Sequence, residues 1–273
     1  MKCPPFDYVR AGSVEEVVKV LAEADGEGKI LAGGQSLVPV LALRLARPAV
    51  LVDINRIPGL DSMRRGGGAL EVGALVRHND LVEQTDHPLL ARAARWIGHT
   101  AIRARGTAAG SIAHADPAAE LPAVAVATGA TAVVAGPEGT RSLAPEELFA
   151  GPLMTGLRDD EMITGLRFPL ASRWGFAEFA RRHGDFALVT AAVAEIDGVV
   201  RIALGGVGGV PRRAVEAERV IAAGGAALDA AGAASREIDP TGDIHASAAY
   251  RRALAAEMVR DALAQAGVGE GIT

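Results

Sequence analysis

The sequence predicts an α+β protein, and two observations carry that prediction. Through residue 170, short apolar runs that stop at glycines alternate with segments of helical period. From residue 174 the texture changes to longer apolar runs followed by alanine-rich helical stretches, which marks a separate domain. The chain has 273 residues, 49% of them hydrophobic, enough to bury one large core or a few smaller ones.

Each element has a local reason. "SVEEVVKVLAEA" (13–24) opens with Ser13 and places Glu16 three residues on, a capping box, and Val14, Val17, Val18 and Leu21 then follow at helical spacing. "KILAGG" (29–34) reads as a buried strand entering a turn, "LVPVLALRLARP" as a helix after Pro39, and "AVLVDIN" (49–55) as a second strand. Strand, glycine turn, helix and strand together make a small α/β unit. Arg65 precedes three glycines, a tight turn from which "ALEVGAL" continues as a strand. Residues 78–98 are helical with a proline-marked break after His87. "ELPAVAVATGATAVVAG" is a helix giving way near Gly129 to a strand, and "EMITGLRFP" is another strand. Beyond 174, "IDGVVRIAL" predicts a hairpin turning at Asp197-Gly198. "RRAVEAERVIAAGG" and "SAAYRRALAAEMVRDALAQAG" predict helices, and the glycines of 203–211 a strand end and linker.

Composition excludes several functions. Lys plus Arg total 28 against 33 for Asp plus Glu, a net charge of -5 with no basic stripe, which argues against nucleic acid. Cys3 is the single cysteine, so neither an internal disulfide nor an iron–sulfur cluster can form on this chain. The N-terminus lacks the apolar region of a secretory signal. The longest apolar stretch is interrupted and shorter than a membrane span. These features predict a cytoplasmic chain with no transmembrane segment.

Two glycine-containing stretches could carry chemistry. Gly33, Gly34, Gln35 and Ser36 in the first, and Thr107, Gly110 and Ser111 in the second, could offer backbone N–H groups and hydroxyls to an anion. Two such cradles on different elements could clamp a diphosphate. Each could also be an ordinary strand-to-helix turn. Neither is a dinucleotide fingerprint or a P-loop. His78 and His87 are too isolated to suggest metal ligands, and His114 could serve only to satisfy a buried carbonyl. Glu120 could be a solvated helix-start residue, and Arg103 and Arg105 could pair with surface carboxylates. Trp96 and Trp174 read as core or interface residues.

"LAGGQSLVP" and "RGTAAGSIAHADPAAELP", in this order and separation, resemble the two FAD-binding motifs of the medium subunit of molybdenum hydroxylases, the xanthine dehydrogenase and aerobic carbon monoxide dehydrogenase family. "PPFDYVRAGSVEEVVKVLAE", "LVDINRIPGL", "LEVGALVRHNDL" and "RRHGDFALV" extend the resemblance over nearly the whole chain. It implies the PCMH-type, vanillyl-alcohol oxidase-like fold. Two α/β subdomains, 1–56 and 57–170, would hold an extended FAD. Residues 174–273 would form a carbon monoxide dehydrogenase flavoprotein-like C-terminal domain with a small antiparallel sheet and helices. By the same resemblance, Ala32, Gly33, Gly34, Gln35, Ser36 and Leu37 form the first FAD-phosphate loop, and Thr107, Ala108, Ala109, Gly110 and Ser111 the second. His114 and Asp116 lie toward the flavin, Glu120 hydrogen-bonds the cofactor, Ile163 gives an apolar contact, and Asp185 and Phe186 approach the isoalloxazine. Two residues depart from the pattern. Ala109 stands where the family usually has glycine, tolerable only in a right-handed conformation. Ala104 replaces a common asparagine.

The resemblance implies an oxidoreductase subunit with no catalytic acid or base of its own. FAD would take electrons from [2Fe–2S] clusters on a small partner subunit, the molybdenum cofactor would sit on a large one, and the three would assemble as a dimer of heterotrimers. A stand-alone flavin reductase or oxidase of the same fold, and a scaffold subunit that has lost FAD, are the alternatives.

Overall fold

The computed structural model describes residues 2–269; residues 1 and 270–273, the ends of the first and last expected domains, lie outside them. The chain opens with β1 (Asp7–Arg10), α1 (Val14–Glu23), β2 (Gly28–Leu31), α2 (Leu37–Ala42) and β3 (Val50–Asp53). The strands form a parallel sheet of order β1-β3-β2, in which Leu31 pairs with Asp53 and Asp53 with Arg10. Ser13 caps α1, its hydroxyl accepting the Glu16 N–H at 3.2 Å. The Glu16 carboxylate reaches one residue further than a capping box requires, to the Gly12 N–H at 2.7 Å. Val17 and Leu21 of α1 enter the core.

Two expectations change here. Strand β1 has no counterpart in the sequence reading, because four mostly exposed residues show no usable period. The helix expected after Pro39 starts before it, at Leu37, and lasts six residues. Proline in a first turn removes an N–H that has no helical partner anyway, so it does not delay the start. Arg44, at φ 59°, then turns the chain out of the helix.

The middle of the chain holds β4 (Met63–Gly66), β5 (Ala69–Gly73), α3 (His78–Glu83), α4 (Pro88–Ala94), α5 (Thr100–Arg103), α6 (Ala108–His114) and α7 (Glu120–Thr128). It continues with β6 (Thr131–Gly136), β7 (Gly139–Leu143), α8 (Pro145–Leu148), β8 (Phe149–Gly151), β9 (Met154–Thr155) and β10 (Met162–Pro169). An antiparallel sheet of order β4-β5-β10-β6-β7 results, with the last strand in sequence at its centre; β8 and β9 pair separately. The expected break between α3 and α4 is sealed by His87, whose Nδ1 accepts the Leu90 N–H at 3.2 Å and whose Nε2 donates to the Pro169 carbonyl at 3.0 Å. Helix α7 ends at Gly129, φ 67°, as expected, and all its residues are buried. The second glycine stretch, read as a loop, is largely helical: Thr107 caps α6, which Ala108, Ala109 and Ile112 bury against the core.

The remainder is β11 (Trp174–Phe179), β12 (Val189–Ile196), β13 (Val199–Gly205), β14 (Arg212–Arg213), α9 (Val215–Ala222), α10 (Ala227–Glu237) and α11 (Ala248–Ala266). The strands form an antiparallel sheet of order β11-β12-β13-β14. The β12–β13 turn has Asp197 at φ 51° and Gly198 at φ 77°, the left-handed pair a two-residue hairpin demands. Helix α10 was not among the expected helices. One face of this sheet (Phe176, Ala192, Ala194, Ala203) joins the core that contains α7. The other face (Ala191, Val193, Ile202, Leu204) packs with α10 and α11 in a second core. Among the described residues, no helix is long and apolar enough to cross a membrane.

Candidate cofactor site

The two glycine stretches, some seventy residues apart in sequence, meet. Gly33 is buried against the main chain of Arg105 and Gly106; an ideal Cβ there would overlap the Arg105 carbonyl oxygen and lie 2.9 Å from Gly106 Cα. Gly34 needs glycine for another reason, its left-handed φ of 73°. One permissive residue permits the approach of a second chain segment, and the next makes the turn.

The first stretch has donors to spare. No backbone N–H from Gly33 through Leu37 finds an acceptor among the described residues, while Val38 and Val40 donate back to Gly34 and Ser36. Five consecutive unpaired N–H groups form an anion-binding concavity. Gly33, Gly34 and Gln35 of this run border a cavity of about 370 Å³ whose lining also includes Ala32, Asp53, Asn55 and Arg105. The Arg105 side chain makes no ion pair among the described residues, so a guanidinium stands at the cavity without a partner. Backbone donors, an unpaired cation and a glycine that keeps the wall free of side chains suit a phosphate-bearing dinucleotide.

Residues absent from the sequence expectations hold this geometry. Asn55 Nδ2 donates to the Ala32 carbonyl at 2.8 Å and to Asp53 Oδ1 at 2.7 Å. Arg77 donates through Nη2 to Asn55 Oδ1 at 2.7 Å and through Nη1 to the Arg105 carbonyl at 2.6 Å. Arg77 therefore ties the first stretch to the second. Burial, then the nearby Arg105 charge, push its guanidinium below its ordinary pKa. Burial pushes the Asp53 carboxyl up, but hydrogen bonds from Tyr8 and Asn55 outweigh it and leave the group below its usual value. Asn55 and Arg77 lie inside the quoted "LVDINRIPGL" and "LEVGALVRHNDL", and that proximity was the available signal.

His78, dismissed as a metal ligand, is a buried strut. Its main-chain N–H donates to the Gly106 carbonyl at 3.0 Å, and its Nε2 to the Thr107 carbonyl at 2.9 Å. Gly106 lies under the imidazole, where a Cβ would come 2.7 Å from Nδ1. Nδ1 has no partner, and burial lowers the ring's pKa to about 4, so the ring is neutral at pH 7.

The second stretch offers fewer donors than its sequence promised. As a capped first turn it uses them internally: Ala108 N–H goes to Val76, Gly110 N–H to Thr107 Oγ1 at 3.1 Å, and Ser111 N–H to the Thr107 carbonyl. The Ala109 N–H and the Ser111 hydroxyl remain without partners among the described residues. Ala109 sits in a right-handed helix, so its methyl group costs no backbone strain.

The other expected residues follow along the chain. His114 ends α6 half-buried and without a hydrogen bond, which removes its reading as a satisfied core histidine. Asp116 accepts the Ala118 N–H at 2.9 Å in the turn leading to α7. Glu120 is 7% exposed, which rules out a solvated helix start; burial first, then the Asp116 charge, raise its pKa to about 7. Ile163 is buried in the core beside a β-bulge of β10. Asp185 pairs with Arg182 at 3.3 Å, and Phe186 is 68% exposed. Their loop is seated by Gly184 (φ 87°), where a Cβ would lie 2.8 Å from His99 Nε2, just ahead of α5 and Arg105. Arg103 pairs with no carboxylate but donates to the Ile97 and Gly98 carbonyls. Among the described residues no cluster could hold a metal ion.

The chain resembles known proteins over nearly its whole length. Residues 4–171 match the family described as the FAD binding domain in molybdopterin dehydrogenase, and residues 174–266 that of the CO dehydrogenase flavoprotein C-terminal domain. The chain is 40% identical to the 6-hydroxypseudooxynicotine dehydrogenase complex subunit alpha of Paenarthrobacter nicotinovorans, covering 97% of this chain and 96% of that one. It is 39% identical to the nicotine 6-hydroxylase medium subunit of the same organism, over 98% and 99% of the two chains. A solved structure of carbon monoxide dehydrogenase from Hydrogenophaga pseudoflava superposes with a TM-score of 0.91 at 36% identity, over 98% of this chain and 99% of that one. Fold and likeness agree: this chain belongs to the FAD-binding medium subunits of the molybdenum hydroxylases, a family of oxidoreductases.

Proposed function

We propose that the chain is the FAD-carrying electron-transfer subunit of a cytoplasmic molybdenum hydroxylase. It works beside a large subunit holding the molybdenum cofactor and a small one holding [2Fe–2S] clusters, in a dimer of heterotrimers. The absence of cysteines other than Cys3 supports the placing of clusters elsewhere. When bound, FAD supplies the redox chemistry, accepting electrons from the cluster chain and delivering them to an external acceptor.

This chain's residues bind and orient. Residues 1–56 and 57–170 form the two halves of the cofactor cradle, and 174–273 a third part that contributes the loop of Asp185 and Phe186. Main-chain N–H groups of the stretch Ala32, Gly33, Gly34, Gln35, Ser36 and Leu37 take the diphosphate. The Ala109 N–H and the Ser111 hydroxyl approach it from the turn formed by Thr107, Ala108 and Gly110. His114, Asp116 and Glu120 would line the flavin half, with Ile163 giving an apolar contact and Asp185 and Phe186 approaching the flavin. The observation that carries the reading is the run of five unpaired N–H groups beside the unpaired Arg105.

The test is the visible spectrum of the purified chain before and after FAD addition and desalting. Retained flavin absorption, lost in Arg105→Ala and Gly33→Ala together, supports the reading. A chain that stays colourless alone and in complex with its partner subunits refutes it and favours a scaffold.

A further inference from the structure

Glu178 lies on β11 directly opposite Thr190 of β12, and Thr190 lies opposite Gly205 of β13. These three positions face the α7 side of the sheet, for a Cβ at Gly205 would touch Ala123 of α7 and the Pro117 carbonyl in the turn before it. Glu120 is the first residue of that helix. Glu178 is 8% exposed and Thr190 fully buried, and among the described residues neither Glu178 oxygen nor Thr190 Oγ1 makes a well-formed hydrogen bond, although the Thr190 hydroxyl lies close enough to Glu178 to oppose the rise in its pKa. Two carboxyl groups and a hydroxyl thus share one water-poor seam between the C-terminal sheet and the segment carrying Asp116 and Glu120.

Among the described residues no cation neutralises them. Arg201 of β13 is engaged at the far end of α7 with the Thr128 carbonyl. Arg251 of α11 donates to the Leu188 and Gly206 carbonyls and pairs with Asp243. Arg92 of α4 is exposed, and Asp185, in the loop after β11, is held by Arg182. Asp116, the remaining charge beside Glu120, is itself acidic. Two carboxylates in such a seam repel each other and lack solvation, whereas a proton kept on one of them removes the repulsion.

We propose that Glu178 is a positioning residue that keeps its proton in this seam, so that the seam carries no more than one negative charge and Glu120 stands in the cofactor site without a second charge behind it. This rests on the proposed FAD site. Burial, and then the Glu120 charge, raise Glu178 to about 9, while Glu120 is raised to about 7, so the pair titrates in two steps. Because both folded values exceed the ordinary carboxylate value of 4.5, the unfolded chain loses these protons first as pH rises. Stability therefore declines from about pH 4.5 and goes on declining until the upper step, about 9, is passed.

The experiment compares the full chain with Glu178→Gln by thermal unfolding without FAD from pH 5 to 10, and by FAD titration over the same range. The expected wild-type melting temperature falls up to about pH 9, and FAD affinity falls in two steps. In Glu178→Gln both curves level off above about pH 7, and the melting temperature exceeds that of wild type by a margin that widens with pH. A margin independent of pH, or an unchanged upper step in the FAD titration, overturns the proposal. A chain that binds no FAD at any pH overturns the cofactor reading and with it the role given to Glu120, while the melting curves still report whether Glu178 keeps its proton.

Discussion

Gly33→Ala adds one methyl group at the point where the two stretches touch. Its Cβ would overlap the Arg105 carbonyl oxygen and stand 2.9 Å from the Arg105 carbonyl carbon and from Gly106 Cα. All three are main-chain atoms, so no side-chain rotation relieves the contact. Carbon atoms rest at about 3.5–4.0 Å, so the segments must separate by roughly 1 Å. That separation pulls on the Arg77 bond to the Arg105 carbonyl, 2.6 Å, and on the Asn55 bond to the Ala32 carbonyl, 2.8 Å. Overpacking costs about 1–3 kcal/mol, and one weakened hydrogen bond from a charged donor adds about 1.5–3 kcal/mol. A total of about 2.5–6 kcal/mol lowers the melting temperature by roughly 5–24 °C in a chain of this size. The same shift splays the N–H groups of 33–37, and FAD affinity falls at least about tenfold. Scanning fluorimetry and flavin titration read the two effects. Gly34→Ala is the control: it strains a left-handed residue by about 1–2 kcal/mol, but its nearest neighbour is the mobile end of Val38, at 3.2 Å. A Gly33→Ala chain melting within about 2 °C of wild type with unchanged FAD affinity refutes the contact argument.

Three further outcomes follow from the same geometry. Arg77→Met leaves Asn55 Oδ1 and the Arg105 carbonyl without their donor and lowers stability by about 2–4 kcal/mol, read by urea unfolding, with a parallel loss of FAD retention. His78 is held at a pKa of about 4 in the fold against 6.5 unfolded, so the unfolded chain gains its proton first as pH falls. Stability is full above 6.5 and loses about 3 kcal/mol by pH 4, and a His78→Asn chain unfolded in urea across that range shows a flatter acid limb. Ala109→Gly restores the residue usual in the family, yet it places glycine inside a right-handed helix; it lowers stability by about 1 kcal/mol and leaves FAD affinity unimproved in a titration.

Local chemistry made much of this molecule legible in sequence. Ser13 and Glu16 announce α1, Gly129 ends α7, and Asp197-Gly198 turns the β12–β13 hairpin, because each acts through its own and adjacent residues. The glycine pair at 33–34 announced a special backbone for the same reason. Two motifs of sufficient length identified the family and its cofactor.

Tertiary structure decided what each group is free to do. The stretch 107–111 looked like a donor-rich loop, yet burial of Ala108, Ala109 and Ile112 makes it a helix that uses most of its own N–H groups. Gly33 looked like a residue kept small for a ligand, and its first neighbour is the main chain of Arg105. Nothing in "WGFAEFARR" marks Glu178 as buried; laying β11 against α7 does that. Sequence spacing encodes periods and turns of a few residues. It does not encode which distant segment will arrive to bury a carboxyl, occupy a donor or fill the space beside a glycine, and here that arrival determines which groups remain free to bind the cofactor.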